Sequence, residues 1–159
     1  PDGFSASFFR DSWEIVKEDL ILAIRDFFRG GYLPRIVCSM TVVLIPKSKN
    51  PTSILQFRPI SMCNVSYKIL ASIINSRLSA NLPQWISLEQ HGFVKGRSIQ
   101  GAIALAQDMC RDINVKARGS NTVINLDMNK AYDRIEWSFI IKVLVGMGFS
   151  SWNVDIIFR

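Results

Sequence analysis

Val123-Ile124-Asn125-Leu126-Asp127-Met128-Asn129-Lys130-Ala131-Tyr132-Asp133 is the stretch on which the reading of this chain turns. Thr122 to Leu126 is apolar or β-branched around one Asn, which predicts a short strand. Asp127 follows at the strand end, where a carboxylate is fixed in position yet open to solvent. That suits a metal ligand, because two-metal phosphoryl transfer needs a few carboxylates to hold cations at the attacking and leaving oxygens. An Asp that merely ends a strand and enters a turn is the plainer reading from spacing alone. Tyr132 by itself reads as a core aromatic. Asp133 and Glu136 form an Asp-x-x-Glu capping box for a last helix, which explains Asp133 without a metal.

Working outward, Ile99, Ile103, Ala106, Cys110 and Ile113 mark a helix that stops near Gly119. Before it, residues 87–98 contain Gly92 and Gly96 and read as an irregular basic segment. Tyr67, Leu70, Ile74 and Leu78 mark another helix, expected to stop before Pro83. Residues 47–57 hold Lys, Ser, Asn and Pro and read as a loop or hairpin tip. Met40 to Ile45 is β-branched and apolar, a strand ending at Pro46. Phe9, Trp13, Val16, Leu20, Ile24 and Phe27 recur at steps of three and four, one face of a helix over about residues 5–29, and Gly30-Gly31 stops it. The order is helix, strand, loop, helix, helix, strand, helix. It predicts an α+β or α/β domain with helices packed on an antiparallel sheet.

The chain has 159 residues and a formal net charge of +6. The charge is uneven. Residues 1–30 balance at −2 and residues 101–159 at +1, while residues 31–100 carry eight basic groups against the single acid Glu89, a balance of +7. A basic centre suits a polyanion such as nucleic acid or nucleotide phosphate. A basic surface with no partner is the bland alternative. An apolar fraction of 48% argues against disorder. No apolar run reaches the ~18 residues of a membrane span, and no signal peptide can be read. Pro1 at the start and an apolar, helix-like stretch running to Arg159 lead to the expectation of a piece cut from a longer chain. Cys38, Cys63 and Cys110 are odd in number and widely spaced. They predict buried thiols in a reducing, intracellular compartment rather than a zinc site or disulfides. His91 reads as a loop or contact residue.

Leu126 to Asp133 resembles the first palm motif of reverse transcriptases from non-long-terminal-repeat (LINE-type) retrotransposons. Arg134-Ile135-Glu136-Trp137 and Gly146-Met147-Gly148-Phe149 resemble the plant members especially. Upstream, Pro1-Asp2-Gly3-Phe4 resembles the family's opening motif. Leu44-Ile45-Pro46-Lys47 and Phe57-Arg58-Pro59-Ile60-Ser61 resemble its fingers. Tyr67-Lys68, Asn75-Ser76-Arg77-Leu78, Gln90-His91-Gly92-Phe93 and Gly96-Arg97-Ser98 resemble the segments between. The resemblance covers essentially the whole chain, in order and at family-like spacing.

The resemblance implies part of a right-hand polymerase fold, with residues 1–120 as fingers leading into the palm and 121–159 as the start of the palm. Asp127 would be the catalytic carboxylate and a ligand of Mg²⁺, two ions being used in the complete enzyme, and the carbonyl of Met128 would join it. Tyr132 would lie under the sugar of the incoming nucleotide and disfavour a 2′-hydroxyl. Lys47 and Arg58 would reach its triphosphate. Lys95 and Arg97 would contact template or primer backbone. Lys68 and Arg77 have a structural or a generic phosphate role. The implied partners are an RNA template, a DNA primer, dNTP and the remainder of the same polyprotein: the second palm motif, the thumb, and an endonuclease and RNase H. The implied location is nucleus and cytoplasm, with no membrane and no secretion. The chain departs from the pattern in two ways. It holds no Asp-Asp pair, so the second palm motif is missing and the fragment alone is expected to be inactive. It also has Gln100-Gly101 where many relatives have Asp-Asn. A non-catalytic nucleic-acid-binding remnant and a group II intron maturase-like protein are the alternatives.

Overall fold

Ser12 divides the first expected helix. In the computed structural model its backbone (φ −99°, ψ 15°) ends α1 (Ala6–Asp11) and begins α2 (Trp13–Phe28). Periodicity continues across the break, so the apolar face alone does not reveal it. The structure describes residues 2–111, 113, 115, 119, 121–128 and 131–159, with Tyr132 and Asp133 described in their backbone only. The remaining elements are α3 (Arg35–Cys38), β1 (Met40–Pro46), a 3₁₀ turn (Ile54–Gln56), β2 (Phe57–Cys63), α4 (Val65–Trp85), α5 (Ile99–Arg111), α6 (Ala131–Arg134), α7 (Trp137–Gly146) and α8 (Ser151–Phe158). Among the described residues the chain is thus mixed helix with a two-stranded antiparallel sheet. None of these helices is long and apolar enough to cross a membrane.

The chain divides into two compact units, Pro1–Asn75 with Asp155–Arg159, and Ser76–Val154, the boundary falling inside α4. In the first unit, Gly30-Gly31 stops α2 as expected. Gly30 takes φ +113°, and the Gly30 and Gly31 N–H groups donate to the Phe27 and Asp26 carbonyls at 3.1 and 3.0 Å, a Schellman cap. A Cβ on Gly31 would meet the Asp26 carboxylate at 2.2 Å, so a side chain there would displace it. The core of this unit is Phe27, Leu70 and Ile156, with Ile24, Phe28, Leu33 and Ile74 packed around it. Asn64, 1% exposed, ties three segments together. Its Nδ2 donates to the Ile36 and Val37 carbonyls at 2.8 and 3.2 Å, and its Oδ1 accepts from the Asp2 N–H at 3.1 Å. Asn64→Ala is expected to destabilise the fold by about 2–3 kcal/mol, because buried backbone groups lose their partner. Asn64→Asp sets an oxygen against two carbonyls and should cost at least as much. Urea unfolding of both variants measures this.

In the second unit, α7 ends in another Schellman cap. Gly148 takes φ +87°, with Gly148 N donating to Val145 O at 3.0 Å and Phe149 N to Leu144 O at 3.0 Å. Phe149 then packs on Trp85, ring centroids 4.8 Å apart. The Gly-Met-Gly-Phe signature is therefore a helix stop followed by an aromatic anchor.

Four sequence expectations need correction. First, α4 runs through Pro83 to Trp85 rather than stopping before it. Proline's fixed φ is helical, so in a last turn it removes one hydrogen bond without ending the helix. Second, residues 121–128 form no strand among the described residues, and Val123, Ile124 and Leu126 are exposed. A strand needs a ladder partner as well as a β-favouring composition. Third, the last helix is not capped by an Asp133–Glu136 box. Asp133 lies in the backbone of α6, and Glu136 itself occupies the cap position of α7 without a side-chain capping bond. Fourth, Cys110 is exposed, while Cys38 and Cys63 are half-buried, and all three are free thiols.

Candidate nucleotide and nucleic-acid site

The β1–β2 hairpin positions the first candidate pair. Val42-Val43-Leu44-Ile45 favours a strand, and the antiparallel register pairs Ile45 with Arg58 and Pro46 with Phe57. Beyond the last pair, Lys47 N donates to Gln56 O at 2.7 Å. Side chains alternate along a strand, so Ile45, Lys47, Gln56 and Arg58 belong to one face. Lys47 and Arg58 are thereby diagonal neighbours on that face. Both are exposed. Lys47 Nζ donates to the Leu55 carbonyl at 3.1 Å. Thr52 N donates to Gln56 Oε1 at 2.6 Å and Leu55 N to Ser53 Oγ at 3.4 Å, so the turn between the two cations is tied by its own side chains. Among the described residues, neither Lys47 nor Arg58 has an acidic partner. Two unpaired cations on one exposed face can bind a polyphosphate, Arg58 as a planar fork and Lys47 as a point charge.

Lys95 and Arg97 lie in the second unit, in the segment between α4 and α5, and are placed differently from each other. Lys95 is exposed. Arg97 is half-buried and directs its guanidinium at backbone carbonyls. Nη1 donates to Gln90 O at 2.7 Å and to Ser87 O; Nη2 donates to Ile86 O at 2.8 Å and Pro83 O at 3.3 Å. Nearby, Glu89 is held below the usual carboxylate range, first by a backbone hydrogen bond, then by the Ser87 hydroxyl, with the charges of Arg97 and His91 adding to these. A lowered folded-state value means this contribution is present above the ordinary Glu range and is lost as pH falls through the lower value. The His91 imidazole lies where a Cβ on Gly101 would meet it at 3.4 Å, so the Gln100-Gly101 departure leaves room for the histidine over the first turn of α5.

Asp127 and Met128 are also in the second unit, exposed at the end of the unpaired segment 121–128. Its start is pinned by Asn121, whose Nδ2 donates to the Ile113 and Val115 carbonyls at 3.0 and 3.1 Å. The Tyr132 side chain lies outside the described residues; its backbone is in α6. An exposed carboxylate is a hard oxygen donor suited to a divalent cation. Among the described residues, no group of three His, Cys, Asp or Glu side chains could hold a metal ion. The Asp127 carboxylate is of the donor type such a cation takes, but among the described residues it makes no site by itself. The structure brings together Lys47 with Arg58 on one hairpin face, and it separates Arg97, turned onto backbone carbonyls, from the exposed Lys95. Asn64 and the carbonyl partners of Arg97 have no signal in sequence spacing, since both depend on where the folded backbone places its N–H and C=O groups.

The profile of the reverse transcriptase (RNA-dependent DNA polymerase) family matches residues 45–158. This chain belongs to that family. It is 29% identical over 148 residues, 93% of its length, to the transposon TX1 uncharacterized 149 kDa protein of Xenopus laevis, covering 11% of that protein. It is 24% identical over 144 residues, 91% of its length, to the retrovirus-related Pol polyprotein from type-1 retrotransposable element R2 of Nasonia vitripennis, covering 13% of it. It is 30% identical over 120 residues, 76% of its length, to the COX1/OXI3 intron 1 protein of Saccharomyces cerevisiae, covering 13% of it. The chain therefore spans a small part of these curated relatives. Two of these relatives are named as transposable-element proteins and the third as an intron protein.

Proposed function

We propose that this chain supplies the fingers and the first palm element of an RNA-directed DNA polymerase that extends a primer 3′-hydroxyl with dNTPs on an RNA template. Residues 1–120 form the fingers side and 121–159 the entry to a right-hand palm, with helices backing the sheet in the whole enzyme. The observation that carries this reading is the hairpin face bearing Lys47 and Arg58 without acidic partners among the described residues, inside a segment that matches the polymerase family. Lys47 and Arg58 bind and orient the triphosphate, Tyr132 packs under the sugar, and Lys95 meets the template or primer backbone. Asp127, with the Met128 carbonyl, would hold Mg²⁺ together with carboxylates from the rest of the palm. When bound, that ion neutralises charge developing on the reacting phosphoryl oxygens. Catalysis is then chiefly positioning and electrostatic stabilisation. The thumb, the second palm motif and any endonuclease or RNase H belong to the rest of the polyprotein, which works in nucleus and cytoplasm. Arg134–Trp137 and Gly146–Phe149 support a plant-type element.

The test is titration of a labelled single-stranded oligonucleotide at several salt concentrations. Weak binding is expected, with log K falling against log salt at a slope of roughly −2 or steeper if three or more phosphates are neutralised. Binding without a salt slope would overturn the electrostatic account. Primer extension by a full-length polypeptide containing this chain tests the catalytic reading directly.

A further inference from the structure

The two cations of the segment between α4 and α5 have different surroundings, and the difference assigns them different work. Arg97 and Lys95 are two residues apart, one half-buried and one exposed. The Arg97 guanidinium reaches four carbonyls: Pro83 in the last turn of α4, Ile86 just beyond it, and Ser87 and Gln90 in the segment that follows. The carbonyl end of a helix carries partial negative charge and lacks intrahelical donors, so a cation there satisfies both. Val94, just before Lys95, is buried, and Arg97 N donates to Val94 O at 3.1 Å. Phe93, its side chain exposed, holds a left-handed backbone, φ +61°, in the same segment.

We propose that Arg97 is a positioning residue: its guanidinium clasps the carboxyl end of α4 to residues 86–90, and so fixes the path on which Lys95 faces outward to a nucleic-acid phosphate. Arg97 itself makes no phosphate contact. The Lys95 half of this statement rests on the nucleic-acid reading above; the clasp rests on the four carbonyls alone.

Arginine and lysine separate the two roles. A phosphate contact needs a positive charge, which Arg97→Lys keeps. A clasp across four carbonyls needs a planar fork with five donors, which an ammonium on a single stem cannot supply. The experiment compares the 159-residue chain with Arg97→Lys, Arg97→Ala and Lys95→Ala. It measures thermal melting, amide hydrogen exchange over residues 83–98, and binding of labelled oligouridylate across a salt series well below the lowest melting point. Arg97→Lys is expected to melt several degrees lower, to exchange faster at residues 83–98, and to bind severalfold more weakly per folded molecule with the wild-type salt slope. Lys95→Ala is expected to melt like wild type and to lose about 0.7 from the slope, one single-strand phosphate contact. Arg97→Lys with wild-type melting, exchange and affinity, together with a slope lost in Arg97→Ala, would overturn the proposal. If the wild-type chain binds no oligonucleotide, the nucleic-acid reading falls. Melting and exchange still decide the clasp: unchanged values in both Arg97 variants remove it, and an Arg97→Ala chain too unstable to fold supports it.

Discussion

Asp127→Asn, introduced into a full-length polymerase containing this chain, is expected to lower primer extension by about a hundredfold or more while sparing folding and template binding. Asparagine keeps the size and one carbonyl oxygen of aspartate and loses the negative charge with which Asp127 would hold a divalent cation. Nothing in the described structure gives that carboxylate a folding role. It is exposed, it follows a segment without ladder hydrogen bonds, and among the described residues it has no hydrogen bond or ion pair. A strand-end Asp with a structural duty would behave oppositely, lowering stability and preserving the rate per folded molecule. Melting and single-turnover extension on one preparation distinguish them. Near wild-type extension by Asp127→Asn would remove Asp127 from the catalytic centre, and the assignment of Leu126–Asp133 as the first palm motif would fall with it.

What could be read from residue order depends on how local the cause of each feature is. α2, α4 and α5 were legible because an apolar stripe at helical spacing is a property of the segment itself. β1 was legible because four successive β-branched or branched apolar residues precede a proline. β2 was hidden. Phe57-Arg58-Pro59-Ile60-Ser61-Met62-Cys63 does not alternate cleanly, and Pro59 argues against a strand; it is tolerated here because a two-stranded sheet leaves every strand an open edge. The segment 122–126 shows the converse, strand composition without a strand, because ladder formation needs a second segment at hand. The candidate site divides the same way. Lys47, Arg58 and Asp127 stand in ordered motifs, so the resemblance finds them one by one. That Lys47 and Arg58 share a face follows only from the register of the hairpin. Arg97 is the sharpest case: in sequence it is one more cation in a basic loop, and only the positions of the Pro83, Ile86, Ser87 and Gln90 carbonyls separate it from Lys95.

Arg58→Ala in the same full-length enzyme is expected to raise the KM for dNTP by about tenfold to a hundredfold, the loss of one charge-assisted interaction with phosphate. Stability should change little, because Arg58 is exposed and has no acidic partner among the described residues. Arg58→Lys should recover part of the loss, since it restores the charge but not the two-pronged geometry. Lys47→Ala should act in the same direction with a smaller effect on binding and some loosening of the turn, as its Nζ also holds the Leu55 carbonyl. The two effects should not simply add. Lys47 and Arg58 are diagonal neighbours, roughly 7–8 Å apart by sheet geometry, and would grip one triphosphate between them. A double-mutant cycle on the KM for dNTP therefore carries the decisive information. A coupling of about 0.5 kcal/mol or more places both side chains on the same ligand. Strict additivity, or Arg58→Ala with an unchanged KM for dNTP, would mean that the hairpin face does not meet the nucleotide, whatever the polymerase does elsewhere.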